Sequence, residues 1–263
     1  MDELIKVENL VVRYGENTVL DGINLALRRG EILVILGGSG CGKSTLLRHI
    51  VGLRQPEGGR VMLFGRDLYG EDDDEREESL KRIGMLFQSG ALFNSLTLEE
   101  NIAMPLIEHR GVAPEVAAVI ARMKLAMVGL ENAARLLPAE ISGGMKKRAG
   151  LARALALDPE VLLFDEPSAG LDPVTARALD DLILDLRARL GVGVVVVTHE
   201  LGSINVIADH AIMLDRGKII AEGPLVDVRE SIDPIVHAFF NREARRENAG
   251  TRPIAELLRM VGK

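Results

Sequence analysis

Residues 32–45 read ILVILGGSGCGKST, a short aliphatic run that breaks into a glycine-rich turn and continues into the apolar-periodic stretch LLRHIVGL. Gly37, Gly42, Lys43 and Ser44 satisfy G-x-x-x-x-G-K-[ST], with Thr45 following. An unbroken aliphatic run is what a strand buried on both faces requires. The turn after it must let backbone N–H groups close on a polyphosphate, which side chains at Gly37, Gly38, Gly40 and Gly42 would obstruct. Lys43 supplies a point charge for the outer phosphates, the Ser44 hydroxyl reaches Mg²⁺, and the helix opening near Lys43 presents its positive end to the same anion. The pattern implies a nucleotide-phosphate site at the end of a parallel strand.

Composition narrows the rest. The chain has 263 residues, 47% of them hydrophobic and only 3% aromatic, so an ample core must be aliphatic. A net charge of −7 argues against a general nucleic-acid binder. The single cysteine, Cys41, lies inside the glycine-rich turn and reads as a small residue that fits it; no internal disulfide can form. No apolar run approaches the roughly 18–20 residues needed to cross a bilayer, and the acidic start MDELIKVENL lacks the apolar core of a secretory signal. The expectation is a soluble cytoplasmic chain whose membrane connection, if any, runs through a partner.

Residues 4–14 and 18–27 partly alternate apolar and polar, as half-buried antiparallel strands do. The segment EDDDEREESLKR is a solvated loop or helix start, and residues 84–88 are strand-like. From about residue 89 to 158 the spacing turns helical, which marks an α-helical insertion within an α/β core. Residues 161–164 and 194–197 are further buried strands, the first ending in Asp165-Glu166 and the second in Thr198-His199. Residues 211–214 and 219–222 pair as a hairpin, and the chain then reads helical from Pro224 to about Arg246. In an open parallel sheet, ligands sit at the carboxyl ends of the strands, so the chemistry gathers along one edge.

At that edge Asp165 is placed to hold Mg²⁺ and Glu166 to orient or deprotonate water. His199 is either structural or a partner of the γ-phosphate; Gln88 is either a capping amide or a ligand of the metal and water. Tyr14 is either a filler or a face for a purine. Ser142-Gly143-Gly144-Met145 opens a second helix suited to an anion, though a plain serine cap explains it as well. One nucleotide does not need two such turns, so the economical arrangement is a site shared between two copies.

Taken together, these motifs resemble those of ABC-transporter ATPase subunits over roughly residues 4–225. GGSGCGKST matches the phosphate loop (Gly37, Gly38, Ser39, Gly40, Cys41, Gly42, Lys43, Ser44, Thr45) and Gln88 the Q-loop. SGGM at 142–145 matches the signature, VLLFDE at 161–166 the Walker B strand, SAGLD at 168–172 the D-loop, and His199 the switch histidine. Tyr14 falls at the adenine-stacking position. The resemblance implies a P-loop NTPase fold with a parallel-sheet core, an antiparallel β subdomain and a helical subdomain. It further implies ATP and Mg²⁺, the latter held by Ser44, Gln88 and Asp165, and a head-to-tail homodimer with nucleotide at the interface. Glu166 would be the base, His199 the γ-phosphate sensor and Asp172 a link across the dimer. The segment after Gln88 would help receive a permease subunit.

Most relatives have Gln after SGG, where this chain has Met145. With FQSGALFNSLTLEENIAMPL at 87–106, this is similar to the ATPase of MCE-type systems of the maintenance-of-lipid-asymmetry kind, which move phospholipid between the inner and outer membranes of double-membraned bacteria. Such a likeness implies phospholipid as cargo, an MCE-domain protein and a small regulatory subunit as further partners, and a place on the cytoplasmic face of the inner membrane. An ABC transporter for another solute is the competing expectation. Residues 226–263 match no motif; the likeness implies a helical tail that contacts the other protomer, and a frayed terminus is the competing expectation.

Overall fold

The computed structural model describes residues 3–70 and 72–241. Two long antiparallel strands open the chain, β1 (Glu3–Tyr14) and β2 (Asn17–Arg28), with Ile5, Val7, Leu10 and Val12 facing Leu20, Ile23, Leu25 and Leu27 in one buried layer. β3 (Ile32–Leu36) is buried at every position and leads into α1 (Lys43–Ile50). β4 (Gly58–Leu63) pairs antiparallel with β1, and β5 (Arg66–Asp67) completes a sheet of order β2-β1-β4-β5.

The acidic run becomes α2 (Asp73–Lys81). Asp72 caps it by accepting from the Glu75 N–H, and Asp73, Asp74 and Glu75 sit in the first turn, where the helix dipole favours negative charge. β6 (Ile83–Leu86) precedes the helical segment. There, α3 (Leu98–Arg110) starts on a Thr97/Glu100 capping box, α4 (Pro114–Met127) starts on a proline, and α5 (Gly143–Ala154) is capped by Ser142. The chain then returns through β7 (Val161–Asp165), α6 (Pro173–Leu190), β8 (Gly193–Val197) and α7 (Leu201–Ile207). The hairpin of β9 (His210–Asp215) and β10 (Lys218–Pro224) follows.

Among the described residues the second sheet has the order β10-β9-β3-β8-β7-β6, parallel throughout except for β10 at its edge. The hairpin read at 211–222 is therefore more than a hairpin. β9 lies beside β3, so the core sheet is wider than the three strands evident from their aliphatic runs. Alternate residues of the central strands serve two cores. Ile32, Val34, Leu36, Phe164, Val194 and Val196 face the helices, while Leu33, Ile35, Leu163, Val195 and Val197 face α1 and the antiparallel sheet.

Beyond β10 the expected continuous helix is two short ones, α8 (Leu225–Arg229) and α9 (Pro234–Phe240). Pro234 lacks an N–H and cannot continue a helix from before it; Asp233 instead caps a new one through the Ile235 and Val236 amides. The rest of the expected tail, residues 242–263, lies outside the described residues. No helix among those described is long and apolar enough to cross a membrane.

The helical segment sits hard against β6. A Cβ on Gly84 would stand 2.2 Å from the Ala154 carbonyl oxygen at the end of α5. Gly84→Ala must therefore push α5 off the sheet, and a loss of about 1–3 kcal/mol is expected in denaturant unfolding. A parental midpoint would show that this close approach is not needed.

Candidate active site

The phosphate-type loop hangs from the carboxyl end of β3, and its glycines do two different jobs. Gly37 (φ 144°) and Gly42 (φ 112°) hold left-handed geometry against the scaffold: a Cβ would lie 2.3 Å from the Leu214 carbonyl oxygen at Gly37 and 2.5 Å from Leu20 Cδ2 at Gly42. Their glycine is demanded by neighbouring strands rather than by a ligand. Gly38, Ser39 and Gly40 form the exposed lip, and nothing lies within 4 Å of a Cβ built on Gly38 or Gly40. The lip is therefore open to solvent, and no neighbouring atom of the protein itself excludes a side chain at Gly38 or Gly40. The β9–β10 turn backs the loop through the Gly217 N–H, which donates to the Cys41 carbonyl. Cys41 itself is buried, and burial pushes its thiol pKa up against the pull of Lys43.

Lys43, also buried, lays its ammonium on the Gly37 and Gly38 carbonyls at 2.8 and 3.0 Å, a charge tied to neutral acceptors at the mouth of the loop. Ser44 Oγ donates to Asp165 Oδ1 at 3.2 Å, bringing α1 and the end of β7 together. Burial raises the Asp165 pKa, with adjacent Glu166 adding to it while Ser44, Arg48 and Lys43 oppose. A hydroxyl and a half-buried carboxylate form a hard-oxygen pair that suits a small divalent cation sharing its remaining positions with phosphate and water. No cluster of three or more His, Cys, Asp or Glu able to hold a metal occurs among the described residues.

Glu166 follows directly, with a left-handed backbone (φ 50°). Its N–H donates to the Val197 carbonyl of β8 at 2.8 Å, and its Oε1 lies 2.8 Å from His199 Nδ1. Its Oε2 is buried without a hydrogen-bond partner. Glu166 and His199 thus meet although they end different strands. The carbonyl of Gln88 accepts from Lys147, while the Gln88 side chain is exposed. Asp172 caps α6, accepting from the Val174 and Thr175 amides and from Thr175 Oγ1, which holds its carboxyl below the usual range. Tyr14 ends β1 with the Arg54 guanidinium 4.4 Å above its ring. Ser142 Oγ accepts from the Met145 N–H, Gly143 is exposed, and Gly144 packs on Thr175. No hydrogen bond among the described residues joins the turn at 142–145 to the loop at 37–45.

Sequence reasoning missed the residues that seat the segment after Gln88. Arg153 of α5 donates to the Gly90 and Ala91 carbonyls; Asn101, fully buried on α3, donates to the Phe93, Leu96 and Thr97 carbonyls and accepts from the Phe93 N–H. Lys147 donates to both Gln88 and Glu166 carbonyls. None carries a sequence signal, because each looks like an ordinary helix residue until the loops are folded against it.

The family model described as ABC transporter matches residues 20–169. The Haemophilus influenzae intermembrane phospholipid transport system ATP-binding protein MlaF is 42% identical over 92% of this chain and 91% of its own. The methionine import ATP-binding protein MetN of Rhizobium johnstonii is 40% identical over 86% of this chain and 62% of its own. Among solved structures, the dimeric post-hydrolysis state of the ATP-binding cassette MJ0796 bound to ADP and Pi superposes with a TM-score of 0.75 at 35% identity, covering 84% of this chain and 98% of that one.

Beside the site, Asp180 of α6 is almost wholly buried, with Oδ1 unpartnered; Ser203 of α7 donates to it and stands 3.3 Å from the Ser168 hydroxyl. Burial pushes its carboxyl up to about 6 from 3.8. The folded protein therefore prefers the protonated form. The cost is absent at pH below the unfolded value, grows as pH rises through that window, and is complete above the folded value, at about 2–3 kcal/mol. Asp180→Asn should raise the melting temperature near pH 8, with the gain fading as pH falls towards about 4. A gain independent of pH would refute this assignment.

Proposed function

The chain belongs to the ABC transporter family, and from that premise we propose that it is the ATP-hydrolysing subunit of a transporter that moves phospholipid between membranes. The observation that carries the chemistry is the meeting of Lys43, Ser44, Asp165, Glu166 and His199 along the carboxyl ends of β3, β7 and β8. Lys43 leaves its two carbonyls for the outer phosphates of ATP, with the lip at 38–40 and the amides of α1 around them. Tyr14 would stack on the adenine. Mg²⁺, held through Ser44 and Asp165 and approached by Gln88, would neutralise charge on the phosphates.

Hydrolysis asks one proton transfer of the protein. Glu166 Oε2, buried and unpartnered, accepts the proton of the attacking water as its oxygen bonds the γ-phosphorus and the bond to the ADP oxygen breaks. His199, 2.8 Å from Oε1, would orient this carboxylate and donate to the γ-phosphate. Ser142, Gly143, Gly144 and Met145 would close the site from a second copy. Their distance in bonding from the loop at 37–45 and the dimeric state of the MJ0796 relative support that arrangement. Met145 replaces a polar side chain, yet the backbone N–H groups and Ser142 remain to meet phosphate. Asp172 would report across the same interface.

Phospholipid as cargo is supported by the MlaF relative, whose similarity runs through nearly the whole of both chains. The 40% identity to a methionine importer's ATPase keeps a small-solute transporter as the second reading. On the first reading the chain sits at the cytoplasmic face of the inner membrane through permease subunits, with an MCE-domain protein and a small regulatory subunit in the complex. Affinity purification of the tagged chain from solubilised membranes, with mass spectrometry of proteins and lipids, separates the two. A permease with an MCE-domain protein and phospholipid supports the first; a permease with a solute-binding protein and no lipid overturns it in favour of the second.

Two substitutions test the chemistry. Lys43→Ala removes charge-assisted bonds to phosphate and should weaken ATP binding about 10- to 150-fold; unchanged affinity would contradict the loop assignment. Glu166→Gln should retain ATP binding, lower turnover about 10²- to 10⁴-fold and accumulate an ATP-bound dimer. Parental turnover would remove Glu166 from the role of base.

A further inference from the structure

Lys147 lies on α5, five residues past the Ser142 cap, and is almost wholly buried. Its ammonium donates to two carbonyls of different elements: Gln88 at 2.5 Å, just after β6, and Glu166 at 3.1 Å, just after β7. Burial lowers its pKa, while Glu166 and Asp165 hold the charge in place.

The Glu166 carbonyl is an unusual place to spend a buried cation. Glu166 occupies the left-handed region, which a non-glycine residue keeps only when its surroundings enforce it. Three contacts enforce it: the Val197 carbonyl takes its N–H, while Lys147 and the Ala169 N–H both donate to its carbonyl. Two of the three come from the sheet and from the local turn. Only Lys147 comes from the helical segment.

The helix that carries Lys147 begins with the turn at 142–145. That turn is the element which, on the shared-site reading above, seats on the partner's nucleotide. At 1.5 Å per residue, Lys147 sits about 7 Å from the cap, within one continuous piece of helix. A phosphate that draws in the N-terminus of α5 therefore moves the ammonium that holds the chain's own Glu166 and Gln88. We propose that Lys147 is a positioning residue that couples the two nucleotide sites of the dimer, transmitting occupancy at one chain's signature turn to the Glu166 and Gln88 backbones of the same chain. This rests on the shared-site reading. The carboxylate of Glu166 does not touch Lys147; the effect runs through the backbone that aims it.

The test uses the full chain. Lys147→Met fills the same slot without charge or donors; it leaves the Gln88 carbonyl without this donor while the Glu166 carbonyl keeps the Ala169 N–H, so some loss of stability is expected. Its ATP affinity should stay near the parent's at a temperature where it remains folded, while kcat falls about tenfold or more and the Hill coefficient for ATP falls from the parental value to about 1. Lys147→Arg, which keeps charge and donors, should restore cooperativity. Parental kcat and Hill coefficient in Lys147→Met, or equal failure of the Met and Arg variants, overturns the proposal. Should Lys147→Met not fold, Lys147→Leu, also without charge or donors, takes its place under the same criteria.

Ser142→Arg, built on Glu166→Gln and assayed for ATP-dependent dimerisation, separates this idea from its premise. A dimer that still forms defeats the shared-site reading and this proposal with it. Blocked dimerisation, together with retained cooperativity in Lys147→Met, defeats the role of Lys147 alone.

Discussion

Everything in this molecule depends on β3 being hydrogen-bonded on both sides and buried on both faces. Val194 to Val197 of β8 flank it on one edge and His210 to Met213 of β9 on the other. Ile32, Val34 and Leu36 enter the helical core while Leu33 and Ile35 enter the core against the antiparallel sheet. A strand with no free edge and no free face cannot slip in register, because a one-residue shift would exchange the two cores. The loop at its carboxyl end thereby inherits a fixed origin. Gly37 is pressed on Leu214 and Gly42 on Leu20, so the two anchored glycines leave the lip between them as the part that faces outward.

The same constraint organises the chemistry. Parallel strands end on one side of the sheet, and three adjacent ends bring Ser44 to Asp165 and Glu166 to His199, with Lys43 held on the loop beside them. The local cost is visible in Glu166, whose left-handed backbone and unpartnered Oε2 are both unfavourable taken singly. Asp180 adds a buried carboxylate nearby whose ionisation opposes folding at neutral pH. At Glu166 a left-handed backbone and an unpartnered buried oxygen fall on the same residue.

The helical segment shares an aliphatic core with this sheet and adds polar pins along its inner edge. Lys147, Arg153 and Asn101 all spend their donors on backbone carbonyls of residues 88–97 or of Glu166. Bonds to backbone carbonyls position a loop without depending on its side chains, which leaves those of residues 87–96 free for other contacts. Gly84 and Gly150 allow the close approach on which these bonds rely: a Cβ on Gly150 would meet Leu86 at 2.7 Å.

What the sequence by itself determined is whatever depends on neighbours along the chain. Aliphatic runs at 32–36, 161–164 and 194–197 read as buried strands, the glycine spacing at 37–42 as a tight loop, and Ser142 as a possible helix cap. The motifs Lys43, Ser44, Asp165, Glu166 and His199 were legible for the same reason: each sits where a run stops. The tertiary structure alone decided what depends on residues distant in sequence. β9 joined the core beside β3 because pairing partners leave no trace in a four-residue apolar run. Pro234 and Asp233 broke the helix expected after Pro224. Lys147 and Asp180 looked like solvated helix positions, since amphipathic spacing records which face is apolar and not which loop folds onto a charge. A buried ammonium between two carbonyls, fifty-nine and nineteen residues away, exists only once the chain has closed around it.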